Sequence, residues 1–183
     1  MLLRSIYTKQ RLVFFEFKGE APAADALESS VPPGMCLRSF SSTRQMPSFV
    51  KRQLFPYRCS VLRCRMARDL AEIVVLTQSQ QLIAYGWIQS WRPFRRVFRA
   101  ISERGTMIGP AWTHPEWRGQ GLHSLILRKR ILLSAGSGPL YSFVEEENIA
   151  SMKGLKRTGF FEIGLFDVYR FAYVLRFGRS VCE

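Results

Sequence analysis

The segment that most constrains the fold is residues 106–134, where an apolar run meets a glycine turn and then a helical pattern. Residues 106–113 form a short apolar run, and the turn that follows contains Arg-Gly-Gln-Gly at 118–121. From Leu122 onward, apolar residues recur at the spacing of a helix. Glycines at a strand-to-helix turn let backbone N–H groups approach a ligand, and the helix N-terminus adds partial positive charge. The segment therefore predicts a βα turn that can bind an anion such as phosphate.

The helix predicted over residues 122–134 is amphipathic. Its apolar side is predicted to carry Leu122, Leu125, Ile126, Leu132 and Leu133. The three basic residues Arg128, Lys129 and Arg130 are assigned mostly to the other side.

A second unit of the same kind follows. Residues 140–145 form another strand-like run, after which Asn148 is a natural helix N-cap and Gly159 a natural helix stop. Two βα units in tandem, the first with Pro-x-x-Arg-Gly-x-Gly and the second with Asn-x-x-Ser ending in Gly-Phe, resemble the GCN5-related N-acetyltransferase (GNAT) superfamily. The matching motifs cover about residues 106–160, and a weaker likeness in hydrophobic pattern extends back to about residue 35.

Two signatures of that family map onto this sequence. The pyrophosphate loop, usually Gln/Arg-x-x-Gly-x-Gly/Ala, is similar to the stretch with Arg118, Gly121 and His123. The second signature, roughly Asn-x-x-Ala-x-x-x-Tyr-x-x-x-Gly-Phe, is similar to the stretch with Asn148, Ser151, Leu155, Gly159 and Phe160. The resemblance implies an α/β (α+β) fold with a mixed central sheet flanked by helices. It also implies an acyltransferase that uses acetyl-CoA.

The resemblance further implies how acetyl-CoA would bind as the acyl donor. The strand at 111–113 would diverge from the next strand and bond the pantetheine arm, and the turn would hold the pyrophosphate. His123 stands where a small residue is usual, and its side chain is expected to point to solvent. Asn148 has two expected roles, cofactor contact and helix cap, which can coexist. The cofactor-binding residues expected on this basis are Ala111, Thr113, Arg118, Gly119, Gln120, Gly121, Leu122, His123, Asn148 and Ser151.

The same resemblance implies catalytic groups. A backbone N–H at Trp112 or Thr113 would stabilise the oxyanion of the reaction. The residues themselves, rather than the resemblance, predict Glu145 as the general base, acting through a water molecule. The alternatives that the sequence leaves open for the base are Glu146, Glu147 and His114.

The general acid is less well defined. Leu155 stands where many relatives have a tyrosine that protonates the leaving thiolate. Tyr141 is the predicted substitute, with Tyr169 as an alternative; without either, the thiolate would leave unaided.

Composition limits the class of protein. With 183 residues and 47% apolar content, the chain can bury one substantial core. Its longest apolar runs fall short of the roughly 20 residues that a membrane span needs, and Glu16 interrupts the only run near the N-terminus that resembles a secretory signal. The 4 cysteines show neither Cys-x-x-Cys spacing nor nearby histidines. No metal site is therefore expected. The cysteine pattern instead predicts a reducing, cytoplasmic location.

The net charge of +13 predicts attraction of anionic ligands. Within residues 92–99, arginines are interleaved with aromatic residues. Such a segment can stack on nucleic-acid bases, or it can form a solvated hairpin whose arginine stems cover exposed rings. We prefer the second interpretation because the chain has no recognised nucleic-acid motif, so no specific nucleic-acid partner is expected.

The N-terminal residues differ in composition from the rest. Residues 1–34 are predicted to be an accessory strand and linker, and residues 35–183 a GNAT-like domain. The strand-like part, 5–18, is expected to be an accessory hairpin or an edge piece. Within the domain, the patterns predict a strand at 35–40, helices over 47–69, a hairpin of 73–77 with 82–88, and a closing strand or hairpin over 161–177.

The preferred hypothesis is therefore an N-acetyltransferase that acts on the amine of a small acceptor. The positive charge favours an anionic acceptor such as a nucleotide-linked amino sugar. One alternative is a non-catalytic acyl-CoA-binding or regulatory domain, which His123 and Leu155 favour as departures from the family pattern. The other is a nucleic-acid-binding protein, which rests on charge alone. The choice between a monomer and a homodimer stays open.

Overall fold

One mixed β-sheet forms the frame of the molecule. The computed structural model describes residues 7–54, 65–171 and 174–180. The strands are β1 (Tyr7–Phe17), β2 (Met35–Phe40), β3 (Ala71–Gln78), β4 (Gln81–Ser90), β5 (Thr106–Thr113), β6 (Leu140–Glu145), β7 (Phe160–Phe171) and β8 (Val174–Ser180). The helices are α1 (Ala24–Glu28), α2 (Ser48–Leu54), α3 (Leu122–Leu133) and α4 (Ile149–Arg157). Residues 55–64, part of the helical region predicted over 47–69, lie outside the described residues.

The strands follow the spatial order β2-β3-β4-β5-β6-β1-β7-β8. β5 and β6 are parallel, and the other neighbours are antiparallel. The predicted hairpin is β3 with β4, and β7 with β8 forms the predicted closing hairpin. The mixed sheet that the sequence predicted is therefore confirmed.

The N-terminal strand lies inside this sheet, so the prediction of an accessory or edge piece was wrong. β1 pairs with β6 on one side, from Leu12↔Glu145 to Glu16↔Tyr141, and with β7 on the other. Phe14 and Phe15 are both fully buried. Successive residues of a strand point to opposite faces, so two buried neighbours require a strand covered on both faces. The division of the chain at residue 34 stays a prediction.

Helices cover both faces of the sheet, because most strands carry apolar residues on both faces. On one face, α1, α3 and α4 pack on residues such as Val74, Leu76 and Ile108. On the other, α2 packs on Ile73 and Val75. Among the described residues, no helix combines the length and apolar character that crossing a membrane requires.

The arginine-rich segment 92–99 is a series of turns, and the predicted hairpin is absent from this described stretch. Backbone hydrogen bonds connect Phe98 to Phe94 and Ile101 to Phe98. Phe94 and Phe98 lie one helical turn apart and are buried, while the intervening Arg95 and Arg96 are exposed. The rings belong to the core on the α2 side of the sheet, and this placement leaves them unavailable for stacking on bases.

Candidate active site

β5 and β6 separate soon after they begin. Their parallel pairing comprises Thr106↔Leu140 and Met107↔Tyr141. β4 nevertheless stays paired with β5 as far as Ala84↔Thr113. The gap therefore opens on the β6 side of β5, and the backbone groups that face it have no partner among the described strands.

The hydrogen-bond ladder between β4 and β5 decides which backbone groups face the gap. The His114 N–H bonds to the Ile83 carbonyl over 2.8 Å, so these residues form a hydrogen-bonded pair. Such pairs alternate along an antiparallel ladder, so the next one along β5 is Trp112 with Tyr85. The Trp112 N–H therefore points to β4, and its indole stacks on the Tyr85 ring at 5.7 Å. This geometry argues against Trp112 as the oxyanion donor.

Ala111 and Thr113 have the opposite orientation. They occupy the alternate positions of the ladder, so their N–H and C=O groups point away from β4 and into the gap. Arg118 Nε donates to the Thr113 carbonyl over 3.2 Å. Thr113 Oγ1 is buried and has no hydrogen-bond partner within the described part of the chain. Of the two positions predicted for the oxyanion donor, Thr113 is the one that faces the gap.

The gap opens into a cavity of about 430 Å³ that reaches both faces of the sheet. We call it the gap cavity. On the α2 side, Leu12, Phe94 and Phe98 line it. On the side of α3 and α4, its walls include His123, Arg130 and Leu155. The cavity thus connects the α2 side of the sheet with the side of α3 and α4, which the paired part of β5 and β6 separates.

A second cavity, of about 460 Å³, lies at the glycine turn. We call it the turn cavity. Gly119 and Gly121 have φ angles of +81° and +76°, a conformation that other residues rarely adopt, and space is open beside both. Gly121 is the N-cap of α3 and provides no side-chain cap for the first helical N–H groups. These donors and the helix dipole are the features that the predicted anion site requires. Gln120, also predicted to bind the cofactor, is exposed and does not line this cavity.

His123 lies between the two cavities and lines both. The expectation that its side chain points to solvent was wrong, because the imidazole is partly buried at the start of α3. Burial, and secondarily the charge of Arg130, lower the pKa of His123 to about 4. The imidazole is therefore neutral at neutral pH.

Arg130 lies on the buried side of α3, contrary to its predicted place on the basic side. It is 2% exposed, and burial lowers its pKa to about 9. Leu122, Ile126 and Arg130 are spaced by four residues, which places them on one helix face, and this spacing was the signal that could have located Arg130. Gly86 on β4 makes room for the guanidinium, since a Cβ there would lie 2.7 Å from Arg130 Nε. Leu133 was predicted to lie on the apolar side of the helix, but its side chain is 37% exposed.

Asn148 and Ser151 line both cavities from the start of α4. Asn148 Oδ1 accepts a hydrogen bond from the Ser151 N–H over 3.1 Å, so the predicted helix cap is present. Asn148 thus caps the helix and also lines both cavities.

The predicted catalytic side chains lie in different places. Glu145 lines the gap cavity at its exposed mouth, where Gln10 Nε2 donates to its carboxylate over 3.0 Å. Glu146 and Glu147 do not line this cavity. Tyr141 is buried against Trp91 at 4.8 Å, outside both cavities, so its position argues against a role as general acid. The side chain of Tyr169 lies outside the described residues.

His114 also lies away from the gap cavity. Its ring packs edge-on against the Trp112 ring at 5.7 Å, and its Nδ1 lies 3.8 Å from the Glu116 carboxylate. The geometry thus favours Glu145 among the four candidates for the base.

Two polar side chains that sequence reasoning missed, Ser142 and Gln89, hold the walls of the gap. Ser142 Oγ donates to the Ile108 carbonyl over 3.0 Å and bridges β6 to β5 just past their last paired residues. The buried Gln89 side chain donates to the Gly109 carbonyl and accepts from Arg65. Their bonding partners are distant in sequence, so no local motif signals these contacts.

Solved structures share this architecture. A GCN5-related N-acetyltransferase-like protein from Streptococcus suis superposes with a TM-score of 0.61 at 16% identity, over 90% of this chain and 62% of its own. The chain has the GNAT fold. An acetyltransferase of the GNAT family from Colwellia psychrerythraea gives 0.57 at 14% identity, over 92% of this chain and 57% of its own. This chain therefore spans less than two thirds of the length of either structure.

An aminoglycoside N-acetyltransferase in complex with CoA also has the GNAT fold, and nearly all of its length matches this chain. Its TM-score is 0.51 at 15% identity, over 81% of this chain and 95% of its own. No model of a protein family and no curated protein matches this chain. The likeness to solved structures is thus one of fold.

Proposed function

We propose that this protein transfers an acetyl group from acetyl-CoA to the amine of a small acceptor. The observation that carries the proposal is the continuity of the gap with the glycine turn. The two cavities share Ala111, His123, Asn148 and Ser151. A ligand with a diphosphate at one end and an extended, amide-bearing arm at the other matches both parts, and CoA is such a ligand.

The residues present fit CoA. The positive-φ turn at Gly119 and Gly121 exposes backbone N–H groups to a diphosphate. Ala111 and Thr113 direct backbone groups into the gap, where the arm would add a strand-like neighbour to β5. The buried, unpartnered Oγ1 of Thr113 is a polar group that a ligand would satisfy.

The chemistry that acetyl-CoA supplies is a thioester carbonyl that an amine can attack. In our proposal the Thr113 N–H stabilises the developing oxyanion, because it points into the gap. Glu145 removes the proton of the acceptor ammonium through a water molecule, and the bond from Gln10 orients its carboxylate. Leu155, which is 3% exposed and lines the gap cavity, has no proton to give the leaving sulfur. With Tyr141 outside the cavity, the sulfur leaves as a thiolate, and the proton that the amine nitrogen loses on forming the amide passes to solvent.

The acceptor would enter from the mouth at Glu145. Glu145 is exposed there, and its charge attracts an ammonium group. The net charge of +13 favours an acceptor that is anionic elsewhere, such as a nucleotide-linked amino sugar. The cytoplasm, where acetyl-CoA is available, is the proposed location.

The test is turnover of acetyl-CoA with a panel of amines that includes nucleotide-linked amino sugars, aminoglycosides and amino acids. Products are identified by mass spectrometry, and released thiol is measured in parallel. We expect one class to be acetylated, and Glu145→Gln to lower kcat by about tenfold to a hundredfold with an unchanged KM for acetyl-CoA. Glu147→Gln is the matched control, since Glu147 lies outside the gap cavity. Binding of CoA without turnover of any amine would instead indicate a non-catalytic acyl-CoA-binding domain.

A further inference from the structure

Arg130 is a buried cation without a counter-charge among the described residues. Its guanidinium makes two hydrogen bonds, from Nε to the Ile126 carbonyl and from Nη1 to the Trp87 carbonyl, each 3.4 Å long. No carboxylate of the described residues lies within 4.0 Å of it, and Nη2 has no acceptor among them. Both contacts are to backbone carbonyls, so the positive charge is oriented but not neutralised.

Such an arrangement is costly for stability. A charge taken out of water loses its solvation, and only a well-placed partner compensates for the loss. Proteins rarely bury arginine without a partner. An apolar residue at position 130 would pack beside Ile126 without that cost. The guanidinium therefore indicates a ligand that supplies the missing negative charge.

The position of Arg130 says where that charge would lie. The side chain lines the gap cavity on the side of α3. It packs against β4 at Gly86, which has no Cβ and leaves room for it. Gly86 pairs with Ala111, and Trp87, whose carbonyl accepts from Arg130, lies between this pair and Ile88↔Ile108. Arg130 does not line the turn cavity, so a diphosphate bound there is not its expected partner. The neighbouring His123 does not compete for the anion, because its lowered pKa leaves it uncharged at neutral pH.

We propose that Arg130 binds a carboxylate carried by one of the two reacting ligands, as a specificity-determining residue of the gap cavity. A guanidinium matches a carboxylate with two parallel N–H···O bonds, and such charge-assisted bonds are strong where water is excluded. The carboxylate has two chemical sources: the free end of a short dicarboxylic acyl group on CoA, or an acceptor such as an amino acid. This inference rests on the proposed function, because the gap must hold a CoA thioester for either source to reach Arg130.

The donor arm of the test compares succinyl-CoA with butyryl-CoA, which has the same chain length without the charge. Calorimetric titration of the protein as isolated is expected to show succinyl-CoA binding about tenfold or more tightly than butyryl-CoA. R130M removes that preference and leaves the affinity for CoA itself unchanged. K129M is the matched control: it removes the adjacent cation of the same helix, outside the gap cavity, and should keep the preference.

The acceptor arm uses acetyl-CoA with amino acids and their neutral amides. If the acceptor carries the carboxylate, the wild type prefers the acid by about tenfold or more in kcat/KM and R130M loses this preference. Loss of either preference in R130M supports the proposal and identifies the source. The absence of both preferences in the wild type, or their persistence in R130M, would overturn it.

Two further outcomes are separated by the same titrations. If CoA binds but no carboxylate is preferred, only this inference fails; if CoA does not bind, the proposed function fails and the inference with it. Should R130M fail to fold, R130K carries the test, because it keeps the charge and loses the planar fork. R130K is expected to retain less than about a third of the preference, and an unchanged preference would contradict the proposal.

Discussion

β6 has two strand neighbours, and the two edges differ in how far the pairing extends. Along the β1 edge, five residue pairs continue to Leu12↔Glu145, near the end of β6. Along the β5 edge, the pairing stops after Met107↔Tyr141. One edge is closed by strand hydrogen bonds and aromatic packing, and the other is open and borders the gap cavity.

The difference shows how the fold maintains a gap within its own sheet. A strand that is unpaired on one edge tends to move toward a partner or to fray. β1 holds β6 from the opposite side, and the Phe14 ring lies 5.2 Å from the Phe143 ring of β6. The closed edge therefore stabilises the position from which the open edge can bind a ligand.

Removal of the packing on the closed edge should have the largest effect. Phe14 is fully buried, with ring centroids 4.5 Å from Phe98 and 5.0 Å from Phe166. Phe14→Ala should lower the free energy of unfolding by about 3–5 kcal/mol, measured by denaturant titration. The control is Phe161→Ala, because Phe161 is 57% exposed, and it should cost under about 0.5 kcal/mol. A loss below about 1 kcal/mol in Phe14→Ala would show that β1 is not essential to the sheet.

The open edge should make stability depend on pH through His123. Its pKa is lowered to about 4 in the folded protein, while an unfolded histidine titrates near pH 6.5. Between these values the unfolded state binds the proton first, so stability is complete above about pH 6.5 and falls as the pH drops toward 4. The full loss is about 3 kcal/mol.

Denaturant titrations at several pH values measure this loss. His123→Gln should flatten the decline between pH 7 and pH 4, whereas His114→Gln, the change at the other histidine of the chain, should retain it. The same slope in wild type and His123→Gln would mean that the imidazole is not buried beside the cavities.

Loss of the hydrogen bond that joins β6 to β5 across the gap should lower stability by a smaller amount. Ser142→Ala leaves the Ile108 carbonyl without its hydroxyl donor and should cost about 1–2 kcal/mol of unfolding free energy. Ser134 offers a matched control, since its hydroxyl is buried without a partner among the described residues, and Ser134→Ala should be neutral or stabilising. Equal losses in the two variants would argue that the Ser142 bond does not hold the strands.

The sequence predicted the parts of the molecule that are local. Helical periodicity, cap residues and the glycine spacing at 118–121 lie within single βα units, and the mixed sheet was implied by the family resemblance that these units carry. The cap at Asn148 needed only residues in its own turn.

The predictions from sequence that were wrong involve contacts between residues far apart in the chain. The place of β1 is set by pairing with β6, more than a hundred residues away, although the consecutive Phe14 and Phe15 indicated an interior strand. The burial of Arg130 in α3 depends on Gly86, which lies in β4. Which of Trp112 and Thr113 faces the gap follows from the register of β4, which no motif encodes.

Calorimetric titration of CoA into wild type, Gly121→Val and Gly138→Val tests the central claim most directly. Both glycines have positive φ, +76° and +89°, with open space beside them, so both substitutions carry a similar backbone strain. Only Gly121 lines the turn cavity. We predict that CoA binds wild type and Gly138→Val alike, and binds folded Gly121→Val at least about tenfold more weakly, because the new side chain blocks backbone approach to the diphosphate. Equal affinity in all three proteins, or no CoA binding to the wild type, would contradict the account.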